Sequence, residues 1–230
     1  MRIQESDMAV LLEVRHRIKP ITNTAFDLFV DFYADTVVPA TERHGIDLIG
    51  AWKMTGGEMG WDISLQRYES MAHAEECLAS LAQDQALWSA VEKLRGEIEI
   101  EEVTKFTQSV SYGTEARLEA ALSASPDQPR QYMLAVLQTA TGGLLPAIDA
   151  IGGLVDTMDS AGALQLVTAY ASRIGRSGEL TDLWIMPHGA SGMLDYRAGD
   201  PLKDIIGPLR KHAPEESITF LNPLPYSKLQ

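Results

Sequence analysis

Through VLLEVRHRI (10–18), apolar and polar residues alternate with a period of two. A strand follows from this, with Leu12, Val14 and His16 on one face and Glu13 and Arg15 on the other. After Pro20 the spacing changes. Phe26, Phe29, Val30, Tyr33 and Val37 recur three and four residues apart, which predicts a helix running to TERHG. There Gly45 supplies the left-handed residue beyond the helix, and His44 faces the negative end of its dipole. IDLIGAWKM then reads as a second strand, TGGEMG as a turn and WDISLQRY as a third strand with period two. Ser70 caps the next helix and a further helical piece follows Asp84, with Leu87, Val91 and Leu94 along its apolar face. IEIEEVTKFTQSVSY (98–112) closes a β-α-β-β-α-β unit.

The pattern then restarts. Residues 113–129 begin with a short helical piece and end in Ser, Pro and Asp, which marks them as a connector. RQYMLAVLQTA reads as a strand, LLPAIDAIGGLVDTMDSAG as a helix ending at Gly162, and ALQLVTAYASRI and TDLWIMPHG as two strands. GDPLKDIIGPLRKHA reads as helical and ESITFLNPL as the last strand. Gly57-Glu58 has a counterpart in Gly178-Glu179, each ahead of a third strand. The expected organisation is a domain over 1–112, a linker over 113–129 and a second, diverged domain over 130–230. The expected fold class is α+β, with tandem ferredoxin-like repeats whose sheets face each other as a barrel of the dimeric α/β-barrel type, because strands such as ALQLVTAYA must be covered on both faces, one by helices and one by a partner sheet.

Composition narrows the function classes. A formal net charge of −13 repels phosphate backbones and anionic membranes, so nucleic acid is not an expected partner. Glu5 and Asp7 stand where a secretory signal needs an apolar run, and no apolar stretch approaches a membrane span. A soluble, cytoplasmic protein is expected. Cys77, the single cysteine, sits in a helical context and reads as a small buried apolar side chain. The five histidines lack metal-ligand spacing, and no phosphate-binding glycine loop or nucleophile elbow occurs, so no metal and no cofactor are expected. A haem axial ligand needs a single histidine, which spacing does not test.

EVRHRIKP (13–20), HGIDLIGAW (44–52) and YESMAHAEECLASLAQDQALW (68–88), in this strand order, resemble the NIPSNAP family of the dimeric α/β-barrel superfamily. The resemblance covers residues 10–112 well and the second half as a diverged repeat. It implies the fold and a homodimeric habit more than a mechanism. Where many members carry a histidine and then an aromatic in the third strand, this chain has Ser64 and Gln66. Related folds in the superfamily include cofactor-independent monooxygenases, haem-degrading enzymes and lyases or isomerases, a fold-level analogy.

Six residues stand out as candidates. His16, on an apolar face, is either a cleft-lining acid/base or a hydrogen-bonded core histidine, and Arg15 either clamps a substrate carboxylate or pairs with Glu13. These two are the catalytic candidates. Trp52, Trp61 and Tyr68 are candidate pocket walls, because Gly50 leaves a gap on the strand face that Trp52 shares; packing would also fill such a gap. His44 is a ligand-binding candidate whose first role is at the helix end. Two function classes result. One is binding of a small apolar or aromatic molecule in the sheet–helix cleft of the first half, with cofactor-independent, monooxygenase- or lyase/isomerase-like turnover as its enzymatic form. The other is a non-catalytic scaffold or partner-binding module.

Overall fold

The computed structural model describes residues 9–56, 60–124, 129–198 and 203–230. Eight strands close into one antiparallel barrel in the order β1-β3-β2-β8-β5-β7-β6-β4. The first half supplies β1 (Val10–Lys19), β2 (Asp47–Met54), β3 (Trp61–Tyr68) and β4 (Glu99–Ser109). The second supplies β5 (Tyr132–Gln138), β6 (Gln165–Ile174), β7 (Glu179–Ile185) and β8 (Glu215–Pro223). Each half has the internal order fourth-first-third-second, and the barrel closes where β2 meets β8 and β6 meets β4. Those two seams are short. β2 pairs with β8 only over Trp52–Met54, whereas β1 and β4 pair along ten residues from Val10 to Lys19. Gly178, at φ 74°, turns the chain into β7, while Gly57 and Glu58 lie outside the described residues.

Period two decides what enters the barrel. Leu11, Ile49, Ile63, Leu65, Tyr132 and Tyr170 meet in its interior, and their alternates face the helices outside. The connector turns inward. Its helix, α5 (Glu115–Ser123), is capped by Thr114, whose hydroxyl accepts from Arg117 N–H, and places Leu118 and Ala121 in that same interior cluster together with Leu229.

The first-half helices are α1 (Asn23–Phe32), a π-helical turn (Tyr33–Val37), α2 (Val38–Arg43), α3 (Met71–Leu81) and α4 (Gln85–Arg95). Caps fix three of them. The side chains of Thr22, Ser70 and Asp84 accept from Ala25, His73 and Leu87 N–H. Over the second half lie α6 (Leu144–Ser160), α7 (Gly189–Ala198) and α8 (Lys203–His212). The expectations above contain no α7: GASGMLDYRA has almost no one-sided apolar pattern, so periodicity gives it no signal.

The gap at Gly50 has an occupant. A Cβ there would sit 2.1 Å from the Trp52 ring, because the indole folds back over the glycine two residues earlier on its own strand. Gly50 makes room for Trp52 rather than for a ligand or a helix side chain, and a bulge between Leu48 and Gly50 accompanies it.

Candidate functional site

The site rises from three neighbouring strands. His16 lies opposite Asp62 on β3 and opposite Glu102 on β4, so the pleat brings all three side chains to the outer, helix-facing surface. His16 is 1 % exposed and Asp62 1 % exposed. Nδ1 of His16 lies 3.1 Å from Asp62 Oδ1, and its Nε2 lies 2.7 Å from the Tyr33 hydroxyl and 3.5 Å from Glu102 Oε2. Tyr33 arrives from the helix above, one turn after Phe29. The rings of Phe29 and Tyr33 flank the imidazole at 5.3 and 5.1 Å, and Tyr33 opens the π-helical turn, a feature frequent at functional sites.

Electrostatics set the protonation. Burial pulls the His16 imidazole down, but the Asp62 carboxylate, helped by Glu102, outweighs it and raises His16 to about 9. Burial raises the Asp62 carboxyl despite the pull of His16, and burial, then Asp62 and Glu102, hold Tyr33 well above the ordinary phenol range. At neutral pH the arrangement is thus a charged imidazolium that donates to Asp62 through Nδ1 and to Tyr33 through Nε2. The Tyr33 hydroxyl accepts from it and keeps its own proton to donate onward.

A cavity of about 460 Å³ lies over this relay. His16 and Tyr33 line it, with Ser64 and Gln66 from β3, Glu102 and Thr104 from β4, and apolar walls from Leu78, Leu87 and Val91. Trp88, 39 % exposed, stands at its rim. Leu78 and Phe106 also border a surface groove along α3. Among the described residues no group of histidine, cysteine and carboxylate side chains could hold a metal ion.

The structure brings one of the six sequence candidates, His16, to the cavity. Arg15 points to the barrel side of β1, where its Nε lies 2.7 Å from Glu13. Glu13 also receives the Tyr170 hydroxyl at 2.8 Å and Lys105 Nζ at 3.0 Å, so the pairing alternative describes Arg15. Trp52 is in the barrel interior, edge-on to Tyr132 at 5.6 Å, and Trp61 packs against the same interior cluster with Arg17 over its ring. Tyr68 is on the helix side but beneath α3, where its hydroxyl donates to Gln66 Oε1 at 2.7 Å and holds that cavity residue. His44 ends α2 and ties it to the α3–α4 turn, 2.8 Å from Ser80 Oγ and 3.1 Å from Asp84 Oδ2. Asp62, Tyr33 and Glu102 were not among the candidates. The available signal was the polar row Asp62, Ser64, Gln66 along one face of the third strand.

The NIPSNAP family model matches residues 14–111, the segment that carries the relay and most of the cavity wall. Residues 14–111 are a NIPSNAP domain. The positions at which family resemblance leads one to expect a histidine and an aromatic, Ser64 and Gln66, line the NIPSNAP-domain cavity. No curated protein matches the chain. Solved structures match in fold over nearly the whole length. A presumed monooxygenase from Fusobacterium nucleatum is 11 % identical, with 95 % of this chain and 93 % of that one covered and a TM-score of 0.64. An anthrone oxidase-like protein is 10 % identical (95 % and 92 % covered, TM-score 0.60). A presumed monooxygenase from Lactobacillus acidophilus is 10 % identical (94 % and 93 % covered, TM-score 0.59). The fold is therefore the dimeric α/β barrel type, here closed within one chain. Among the described residues no helix is long and apolar enough to cross a membrane.

Proposed function

We propose that the NIPSNAP-domain cavity binds a small apolar or aromatic molecule that carries one oxygen, a carbonyl, enol or phenol, and that Tyr33 donates to that oxygen. The observation that carries this is the Asp62–His16–Tyr33 chain, buried at one wall of a cavity whose remaining walls are largely apolar. With its proton held well above the ordinary phenol range and its oxygen taking the imidazolium N–H, the Tyr33 hydroxyl keeps a proton to donate to a ligand oxygen. Asp62 keeps His16 oriented and charged. His16 is then an electrostatic group and not a base at neutral pH, and the relay orients and polarises a bound ligand oxygen. Fold neighbours described as monooxygenase and anthrone oxidase-like support an aromatic substrate class by analogy only. A homodimer and a cytoplasmic setting accompany this reading as expectations.

A thermal-shift screen with small phenols, naphthols and cyclic ketones tests it. Hits should be retained by Trp52→Phe, in which the barrel interior alone changes, and weakened tenfold or more in affinity by Tyr33→Phe and by His16→Gln. If no compound shifts the wild type, or if both site substitutions leave binding unchanged in a folded protein, the scaffold reading replaces this one.

A further inference from the structure

The second half has a cleft of its own between the sheet and α6 and α8, and the relay plays no part in it. Its cavity, about 70 Å³, is walled by Met133, Ile151, Leu154, Met158, Trp184 and Leu209. Into this apolar setting β7 places a carboxylate. Asp182 is 3 % exposed, and its neighbours across the sheet are Ala135 on β5 and Ala169 on β6, so small side chains flank it on both sides. The Tyr112 hydroxyl donates to Asp182 Oδ1 at 2.7 Å. Glu216 on β8 lines the same cavity, and Arg210 on α8 lies 2.5 Å from its Oε2.

Among the described residues Asp182 has the neutral Tyr112 hydroxyl as its side-chain partner and no cation, while Arg210 pairs with Glu216. Burial pushes the Asp182 carboxyl up to about 7; Tyr112 opposes this and Glu216 adds to it. A purely packing role at this position would be served by Asn or Leu without the cost of burying an ionisable group. We propose that this cleft is a second ligand site that takes a short primary alkylamine as its ammonium ion. The ammonium pairs with Asp182 beside the Trp184 ring, and the alkyl chain lies among Met133, Ile151 and Leu154. The chain's net charge of −13 favours entry of a cation, and the small volume limits the ligand to a short, unbranched body.

The proposal predicts discrimination between two ligands of nearly equal shape. Titration calorimetry of the full chain at pH 7.5 should show saturable one-to-one binding of n-butylamine and at least tenfold weaker binding of n-butanol. Equal binding of the alcohol, or no saturable binding of the amine, overturns the proposal without any variant. Asp182→Asn keeps an acceptor for Tyr112 and should weaken the amine tenfold or more, while His16→Gln should leave it unchanged. At pH 6.5, amine binding to wild type should release protons, read as a dependence of the observed heat on buffer ionisation, and Asp182→Asn should release none. If Asp182→Asn fails to fold, Ala135→Leu, which fills the cavity and leaves the carboxylate, should abolish binding; amine affinity surviving it would place the ligand elsewhere.

Discussion

At the scale of single residues, two positions convert local geometry into measurable free energy. A methyl group on Gly50 would enter the space of the Trp52 ring, which is itself buried in the interior cluster. Gly50→Ala should therefore cost about 1–3 kcal/mol in urea unfolding, the usual scale for overpacking, and most of that loss should vanish in a Trp52→Leu background. His16 sets a pH dependence. Its imidazole titrates near 6.5 when unfolded and at about 9 in the folded chain, so its stabilisation is complete below pH 6.5 and is lost as pH rises through about 9. The difference in unfolding free energy between wild type and His16→Gln should shrink across that window by on the order of 3 kcal/mol. A flat difference between pH 6 and 9.5 would show that Asp62 does not hold the imidazole charged.

Among the secondary-structure elements, the connector helix is the instructive case. Its composition reads as a spacer, yet α5 contributes Leu118, 2 % exposed, to the interior cluster of the barrel. Leu118→Ala should destabilise by about 2–4 kcal/mol, as a buried leucine truncation and not as a linker change, which chemical denaturation can measure. Elements with a strong period were legible in the sequence: β1, β3, the helix α4 after Asp84 and the cap at Ser70 stand where pattern places them. The site was legible only at His16. Asp62 and Tyr33 lie 46 and 17 residues away along the chain, and what joins them to His16 is strand register and the path of a helix, neither of which leaves a local mark. Trp52 and Arg15 were drawn to the site because period two shows which residues share a face, but not which face meets the helices.

On the scale of the whole molecule, the barrel is two well-paired half-sheets joined at short seams, with the interior cluster spanning both. The burial of Trp52 has an optical consequence. Its indole is 1 % exposed, its Nε1 has no hydrogen-bond partner among the described residues, and Tyr132 stands edge-on within range to pass excitation to it. Such a ring emits at the blue end of the tryptophan range and resists aqueous quenchers, whereas Trp88, 39 % exposed at the rim of the first cavity, emits further to the red and is quenched readily. The four tryptophans thus spread from blue to red, with Trp184, 3 % exposed, on the blue side beside Trp52. Parting of the seams should dim and redden the Trp52 share of the emission, and occupation of the NIPSNAP-domain cavity should alter the Trp88 share; difference spectra of Trp52→Phe and Trp88→Phe against wild type isolate the two shares.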